Sequence, residues 1–308
     1  MKKRMYWMDF LRGICIVLVI LLHSTTIFSR FEVDFSIQSI DFVNELVAPY
    51  RMPLLVFLSG CLFINSYNKG SKIFFIGKIK NIAWPYFVWS IITLIVMHKF
   101  NTLSLLQQFF VSSTTLWFLW FIFFYYIITF FLIKYKIDLR LVVLITVVLS
   151  LISPEIARIS RFFYLFIFFL LGHIVFSKNY INKINAKHIY LAFISIILYW
   201  IFNFFNFDLR YNPKFILIPI IFIYGLMSIN NFYKSNYIFS IVEFIGRNSI
   251  YYYVTHYAIL YFLTDVLLSS SLDIKLIFII NFILSLLVGT FFSLYFLKNI
   301  FVRKLFSY

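Results

Sequence analysis

Charge, glycine, proline and cysteine are all scarce in this chain of 308 residues, and each scarcity excludes something. Charged residues make up 12% of it, about half of what an ordinary soluble domain carries. Eight glycines and six prolines leave no long flexible linker, and no polar block of soluble-domain size interrupts the chain, so residues 1–308 read as one domain. The two cysteines, Cys15 and Cys61, lie in apolar segments and supply neither a disulfide framework nor a metal signature, which makes them packing residues; no metal is expected. The formal charge of +16 raises the question of nucleic acid, but the basic residues are scattered in short connections rather than gathered in a soluble patch, so no nucleic-acid partner is expected. What is plentiful is apolar surface: 63% of residues are hydrophobic and the mean hydropathy is +0.95. The partner of such a chain is the lipid bilayer.

An apolar run of about 20 residues spans a membrane as a helix. Ten such runs are expected, at about 7–28, 49–67, 83–98, 116–133, 141–154, 162–177, 189–206, 215–231, 248–268 and 275–297. The fold class is therefore an all-α integral membrane protein with about ten transmembrane helices and no appended soluble domain. With the N-terminus inside, eighteen lysines and arginines fall on cytoplasmic segments, Lys2, Lys3, Arg4 and Lys298 among them. Seven fall outside, namely Arg30, Lys99, Arg158, Arg161, Arg210, Lys214 and Lys275, while Arg12 and Arg51 lie within spans. This excess of inner cations predicts both termini in the cytoplasm. MKKR ahead of the first run lacks a small-residue cleavage site, so the run reads as an uncleaved span rather than a signal peptide. Two outer connections are longer than turns: Arg30 to Ala48 reads as an amphipathic or re-entrant segment, and residues 99–115 look similar.

The first run, WMDFLRGICIVLVILLHS, carries Asp9, Arg12 and His23, and ionisable groups in hydrocarbon demand a reason. At 100° per helical residue, Arg12 and His23 fall within about 20° of each other, and Asp9 lies on the same side one turn earlier. The resulting polar stripe must face other helices or a watery cavity. His23, about 16 Å beyond Arg12 along the helix, sits in the outer half of the bilayer if Arg12 is near the inner boundary. An imidazole there is a natural general base for a hydroxyl; the plainer alternative is an inter-helix packing bond. Arg12 is a fixed cation suited to the phosphates of an anionic cofactor, or simply an ion-pair partner of Asp9.

Further candidates follow along the chain. Arg51, one turn inside the outer boundary, is expected to face the same outer cavity as His23, where it can orient an acceptor, steady developing negative charge, or merely snorkel. Ser59 and Gly60 at mid-membrane permit close helix approach, with Ser59 also able to line a site. Lys78 and Lys80 precede the third span and serve either phosphate binding or topology, and Pro85 can bend the first turns of that span. Trp117 sits at the outer end of the fourth span, where interfacial anchoring competes with stacking on a sugar ring. His256, near mid-membrane in the ninth span, can line the cavity but has no evident partner in the sequence.

These segments resemble the acyltransferase-3 family, integral-membrane enzymes that O-acylate sugars of bacterial surface polysaccharides, including the fucose-O-acetylase-like branch. An acidic residue, LRG and a histidine eleven positions after the arginine appear as Asp9, Leu11, Arg12, Gly13 and His23. The basic-x-P…F-x-x-SG motif is matched by Arg51, Pro53, Phe57, Ser59 and Gly60, and further echoes are Pro85–Tyr86, the run from Leu116 to Leu119, Gly172, and Gly246 through His256. Before Pro85, where relatives often carry arginines, this chain has Lys78, Lys80 and Asn81. The resemblance implies acetyl-coenzyme A as donor, His23 as a catalytic residue, a lipid-linked or polymeric glycan as acceptor, and the bacterial cytoplasmic membrane as location. An extended pantetheine arm is comparable in length to the Arg12–His23 separation, so phosphates held at the inner face can present a thioester in the outer half. His23 then acts as general base or carries the acetyl group itself. The alternatives are transfer of another short acyl group such as succinyl, or a polysaccharide or lipid-glycan exporter that uses the same cavity as a path.

Overall fold

The computed structural model describes residues 5–110, 115–295 and 299–307. Lys2, Lys3, Arg4 and Lys298, which entered the charge count, and residues 111–114 of the second long connection lie outside them. Among the described residues the chain is helical and contains no strand, as hydrocarbon requires of a backbone whose polar groups find no water. Helices α1 (Tyr6–Thr26), α2 (Gln38–Cys61), α3 (Phe63–Tyr67), α4 (Ser71–Lys78) and α5 (Trp84–Val96) make the first part. They are followed by α6 (Thr102–Phe110), α7 (Trp117–Lys134), α8 (Leu139–Ile152), α9 (Ile159–Ser177) and α10 (Ile189–Phe204). The remainder is α11 (Leu217–Met227), α12 (Tyr237–Arg247), α13 (Ser249–Leu268), α14 (Ile274–Tyr295) and α15 (Ile300–Phe306).

Each of the ten expected spans is occupied by helix. Seven helical stretches among the described residues are long and apolar enough to cross a membrane. α8 and the stretch Leu217–Asn231 are apolar but shorter, and α13, at 20 residues, is diluted by Tyr, Thr and His. The lipid-facing surface is legible as stripes at helical spacing: on α14, Ile279, Ile283, Leu287, Phe291 and Leu294 are all exposed.

Two boundaries differ from the sequence reading. The segment before residue 49 is not a separate surface element, because α2 already begins at Gln38 and continues through Pro49 and Pro53. Pro49 has no N–H for the carbonyl of Glu45, and the hydroxyl of Tyr199 donates to that carbonyl instead, at 3.0 Å. The third span starts at Ser71 rather than near residue 83, with a π-helical turn, Ile79–Ala83, placed just ahead of Pro85. In the 99–115 connection α6 lies with Leu103 and Leu106 exposed, held where Tyr86 Oη donates to the carbonyl of Gln108 at 2.7 Å.

Glycines set the closest crossings. A Cβ on Gly246 of α12 would meet the Asp9 carbonyl and the Gly13 nitrogen of α1, and one on Gly13 would meet the Val242 carbonyl of α12. Gly60 of α2 and Gly172 of α9 are related in the same way, against the carbonyls of Phe169 and Phe57. Small residues at such contacts let backbones approach where lipid provides no hydrophobic drive between helices. These two crossings pair α1 with α12 and α2 with α9, and α1 and α2 pack against each other. Cys15 and Cys61 are buried free thiols between them and their neighbours.

Candidate functional site

Asp9 and Arg12 open onto a wide cavity of about 1140 Å3, whose other walls include Asn65, Asn179, Asn182, Asn230 and Arg247. Arg12 Nη1 lies 3.9 Å from Asp9 Oδ1, a loose pair of i and i+3 side chains. Its Nη2 is 3.5 Å from the carbonyl of Leu58. That carbonyl is accessible because α2 tightens at its end: the Leu62 N–H bonds Ser59 O at 3.2 Å, one residue later than an α-helix would choose. The cavity thus offers two guanidiniums and several amides, a donor-rich surface that fits phosphate oxygens. Coenzyme-sized groups need such room.

Arg12 also borders a second, narrower cavity of about 170 Å3 further along α1, with Ile16, Ser59, Phe118, Tyr126 and Tyr253 among its walls. Tyr126 Oη donates to the Ser59 carbonyl at 3.0 Å, so the wall is tied to the same tightened end of α2. Lys78 lies behind it, its Nζ 3.4 Å from the centre of the Tyr126 ring and 3.0 Å from Ser66 Oγ. Neither Lys78 nor Lys80 lines the two cavities that Arg12 borders.

Half-buried His23 lines a third cavity of about 220 Å3 with Thr26, Ser29, Arg30, Thr115 and Tyr257. Tyr253 stands between the second cavity and this one: its ring lines the former, and its hydroxyl donates to the carbonyl of Thr115, in the wall of the latter, at 3.0 Å. The partner of His23 is His256, with ring centres 5.2 Å apart, and Tyr257 meets His23 edge-on at 5.5 Å. His256 is fully buried, and its Nδ1 is 2.6 Å from the carbonyl of Tyr253. A carbonyl only accepts, so Nδ1 carries the proton and Nε2 presents its lone pair. That Nε2 has no hydrogen-bond partner among the described residues.

Arg51 reaches the same end by another route. It is 4% exposed, and its Nη1 donates to the carbonyl of Leu18 on α1 at 3.0 Å. It lines a cleft of about 510 Å3 beside Leu22, distinct from the cavity of His23 one residue on. Arg30 lines the cavity of His23, and Arg51 and Arg210 line the neighbouring cleft. Trp117 is not a free interfacial anchor: the guanidiniums of Arg158 and Arg161 lie 5.8 and 5.5 Å from its ring centre, and Arg161 also covers Tyr211 at 4.3 Å. No cluster of three His, Cys, Asp or Glu suited to a metal occurs among the described residues.

The chain matches the acyltransferase-3 family model, described as an acyltransferase domain, over residues 5–298. It belongs to the acyltransferase-3 family. No curated protein and no solved structure matches it. As a member of that family the protein is a multi-pass membrane acyltransferase.

Within this acyltransferase the expected stripe on α1 is distributed over three successive cavities, Asp9 and Arg12 at one end and His23 at the other. Ser59 reaches the middle cavity, His256 supports His23, Arg51 occupies the neighbouring cleft, and Trp117 stacks under arginines beyond it. Sequence reasoning missed Tyr253 and Tyr257, and treated Arg30, Arg210 and Arg247 only as topology charges. A signal for part of this was present: four of the seven expected outer cations are arginine, whereas lysine dominates the inner set. Arginine is the residue of fixed, planar, aromatic-stacking charge, and its preference at one face points to a site rather than to solvation.

Proposed function

We propose that this acyltransferase moves an acetyl group from cytoplasmic acetyl-coenzyme A to a sugar hydroxyl held at the His23 end, on a surface glycan or its lipid-linked precursor. The observation that carries this reading is the succession of cavities along α1, with Arg12 shared by the first two and Tyr253 shared between the second and the third. Donor phosphates engage Arg12 and Arg247 in the wide cavity, and the pantetheine arm follows α1 through the narrow one. The Arg12 end is then cytoplasmic, which agrees with the excess of inner cations in the sequence.

In the chemical step His23 takes the proton of the acceptor hydroxyl as its oxygen attacks the thioester carbonyl. The C–O ester bond forms, the C–S bond breaks, and the departing thiolate takes the proton back from His23. Negative charge that develops on the carbonyl oxygen is favoured by the arginines around this end. His256 touches none of the reacting atoms. It is a positioning residue that packs against the His23 ring with its own tautomer fixed by Tyr253.

The test is transfer of labelled acetyl from acetyl-coenzyme A to glycan in membranes carrying wild-type protein or His23→Ala at matched expression. Transfer that requires the protein and disappears in the variant supports the reading. Full transfer by His23→Ala overturns the general-base assignment. Absence of transfer with acetyl but not with succinyl donors moves the assignment to another short acyl group. An acid-labile labelled protein in the absence of acceptor identifies His23 as acyl carrier instead of base.

A further inference from the structure

The cleft beside His23 has a chemistry that the acyl-transfer step does not require. Its deepest side chain, Arg51, is almost wholly buried, yet its Nε has no partner among the described residues and only Nη1 is engaged, by a backbone carbonyl. A guanidinium so placed without an anion is costly, because burial removes its water and a carbonyl returns only part of that solvation. A second cation, Arg210, borders the same cleft. No ion pair within 4 Å joins either arginine to an acid among the described residues. Glu45 and Asp208 do line the cleft, but Asp208 Oδ1 is turned to its own loop, accepting the Arg210 backbone N–H at 2.9 Å.

The rest of the wall is of a different kind. Asn203 and Asn206 present exposed amides, which both donate and accept, while buried Asn44 turns its Nδ2 to Thr25 Oγ1 at 3.4 Å and leaves its Oδ1 without a partner among the described residues. Planar amides and carboxylates suit vicinal hydroxyls, whereas paired guanidiniums suit a planar or tetrahedral oxyanion bidentately. The two sets lie in one cleft of about 510 Å3, large enough for one or two sugar rings, with Leu22 separating it from the cavity of His23 by a single residue of α1.

We infer that this cleft is an acceptor subsite for an acidic sugar, its carboxylate or phosphate bound between Arg51 and Arg210 and its hydroxyls by the asparagines. The inference rests on the acyl-transfer reading for the word acceptor, but not for the ligand chemistry. Binding an anion beside His23 places a neighbouring ring of the same glycan within reach of the base and makes the enzyme selective for charged polymers.

The experiment is equilibrium binding to the purified full-length protein in neutral detergent at low ionic strength, by calorimetry and without any donor. The probes are trigalacturonate, its carboxyl-reduced neutral counterpart, and a hexose 1-phosphate, so that carboxylate and phosphate are distinguished. At least one charged probe is expected to bind about tenfold or more tightly than the neutral trisaccharide. Arg210→Gln, at an exposed position where folding is not at risk, is expected to cut that preference to within about threefold, and Arg51→Gln to remove it. Equal binding of charged and neutral probes overturns the inference, as does a preference that survives in Arg210→Gln. Competition of the charged probe by phosphatidylglycerol nanodiscs, but not by phosphatidylcholine ones, also overturns it and assigns the cleft to a lipid headgroup. Because no turnover is measured, a charge preference without acetyl transfer would sink the acyl-transfer reading and leave the cleft assignment standing.

Discussion

At the Arg12 end of α1 the guanidinium has a carboxylate 3.9 Å away and faces a cavity of about 1140 Å3. Eleven residues on, at the His23 end, the cavities are about 220 and 510 Å3, and Arg51 and Arg161 are met by a backbone carbonyl and an aromatic ring. One end is roomy and holds an ion pair; at the other the cavities are smaller, and no ion pair within 4 Å joins Arg51 or Arg210 to an acid among the described residues. A wide, donor-rich cavity suits a large polar group held by many modest bonds, which tolerates imprecise placement. A narrow one whose guanidiniums have no carboxylate partner suits the place where charge appears during reaction, since a fixed dipole or charge is worth most where little water competes. On the proposed mechanism the same helix serves anchoring at one end and chemistry at the other.

Variants that separate the two ends test this contrast. The largest effect is expected for His23→Ala, a loss of about 10²- to 10⁴-fold in acetyl-transfer rate with donor KM within twofold, the range for loss of a general base. Retention of a tenth of the activity would erase the distinction between the ends. Arg12→Gln should do the opposite, raising acetyl-coenzyme A KM by about 10- to 100-fold, as loss of a charge-assisted bond implies, while acceptor KM stays put. An equal change in both constants would show that the ends are not independent.

Smaller effects sharpen the picture. His256→Phe keeps a ring against His23 but deletes the bond to the Tyr253 carbonyl. A fall of about five- to tenfold in kcat, with donor KM unchanged and the pH profile of kcat displaced, is expected of a positioning residue. A purely structural role would lower protein yield without moving the profile. Gly246→Ala pushes α12 off α1 and should cost about 1–3 kcal/mol, seen as a lower Tm in detergent scans run at one rate, with the Arg12 end affected before the His23 end. Trp117→Leu removes the ring under Arg158 and Arg161, worth about 0.5–1 kcal/mol at such sites, so acceptor KM should rise only two- to fivefold and donor KM not at all.

Much of this was legible in the residues. The helical class follows from composition, and the polar stripe from helical periodicity, because both depend on chemistry within one segment. Arg12, His23, Ser59 and His256 all line or support the cavities along α1. The start of α2 was misjudged because prolines normally end helices, and only Tyr199, over a hundred residues away, supplies the hydroxyl that satisfies the carbonyl of Glu45. Trp117 reads as an interfacial anchor or sugar platform from the sequence, which could not show the guanidiniums of Arg158 and Arg161 beside it because they belong to a different part of the chain.

By itself the sequence determined that the chain must be helical in lipid, and that Asp9, Arg12 and His23 share one side of the first helix, since a 3.6-residue period and the cost of bare peptide groups in hydrocarbon act locally. Only the tertiary structure decided which distant groups meet this helix: His256 beside His23, the Leu58 carbonyl under Arg12, Arg51 on the Leu18 carbonyl. The physical reason is that lipid is indifferent to which apolar helix adjoins which. The order of the bundle is set by where glycines let backbones touch, at Gly13 with Gly246 and Gly60 with Gly172, and those pairings join positions far apart in the chain.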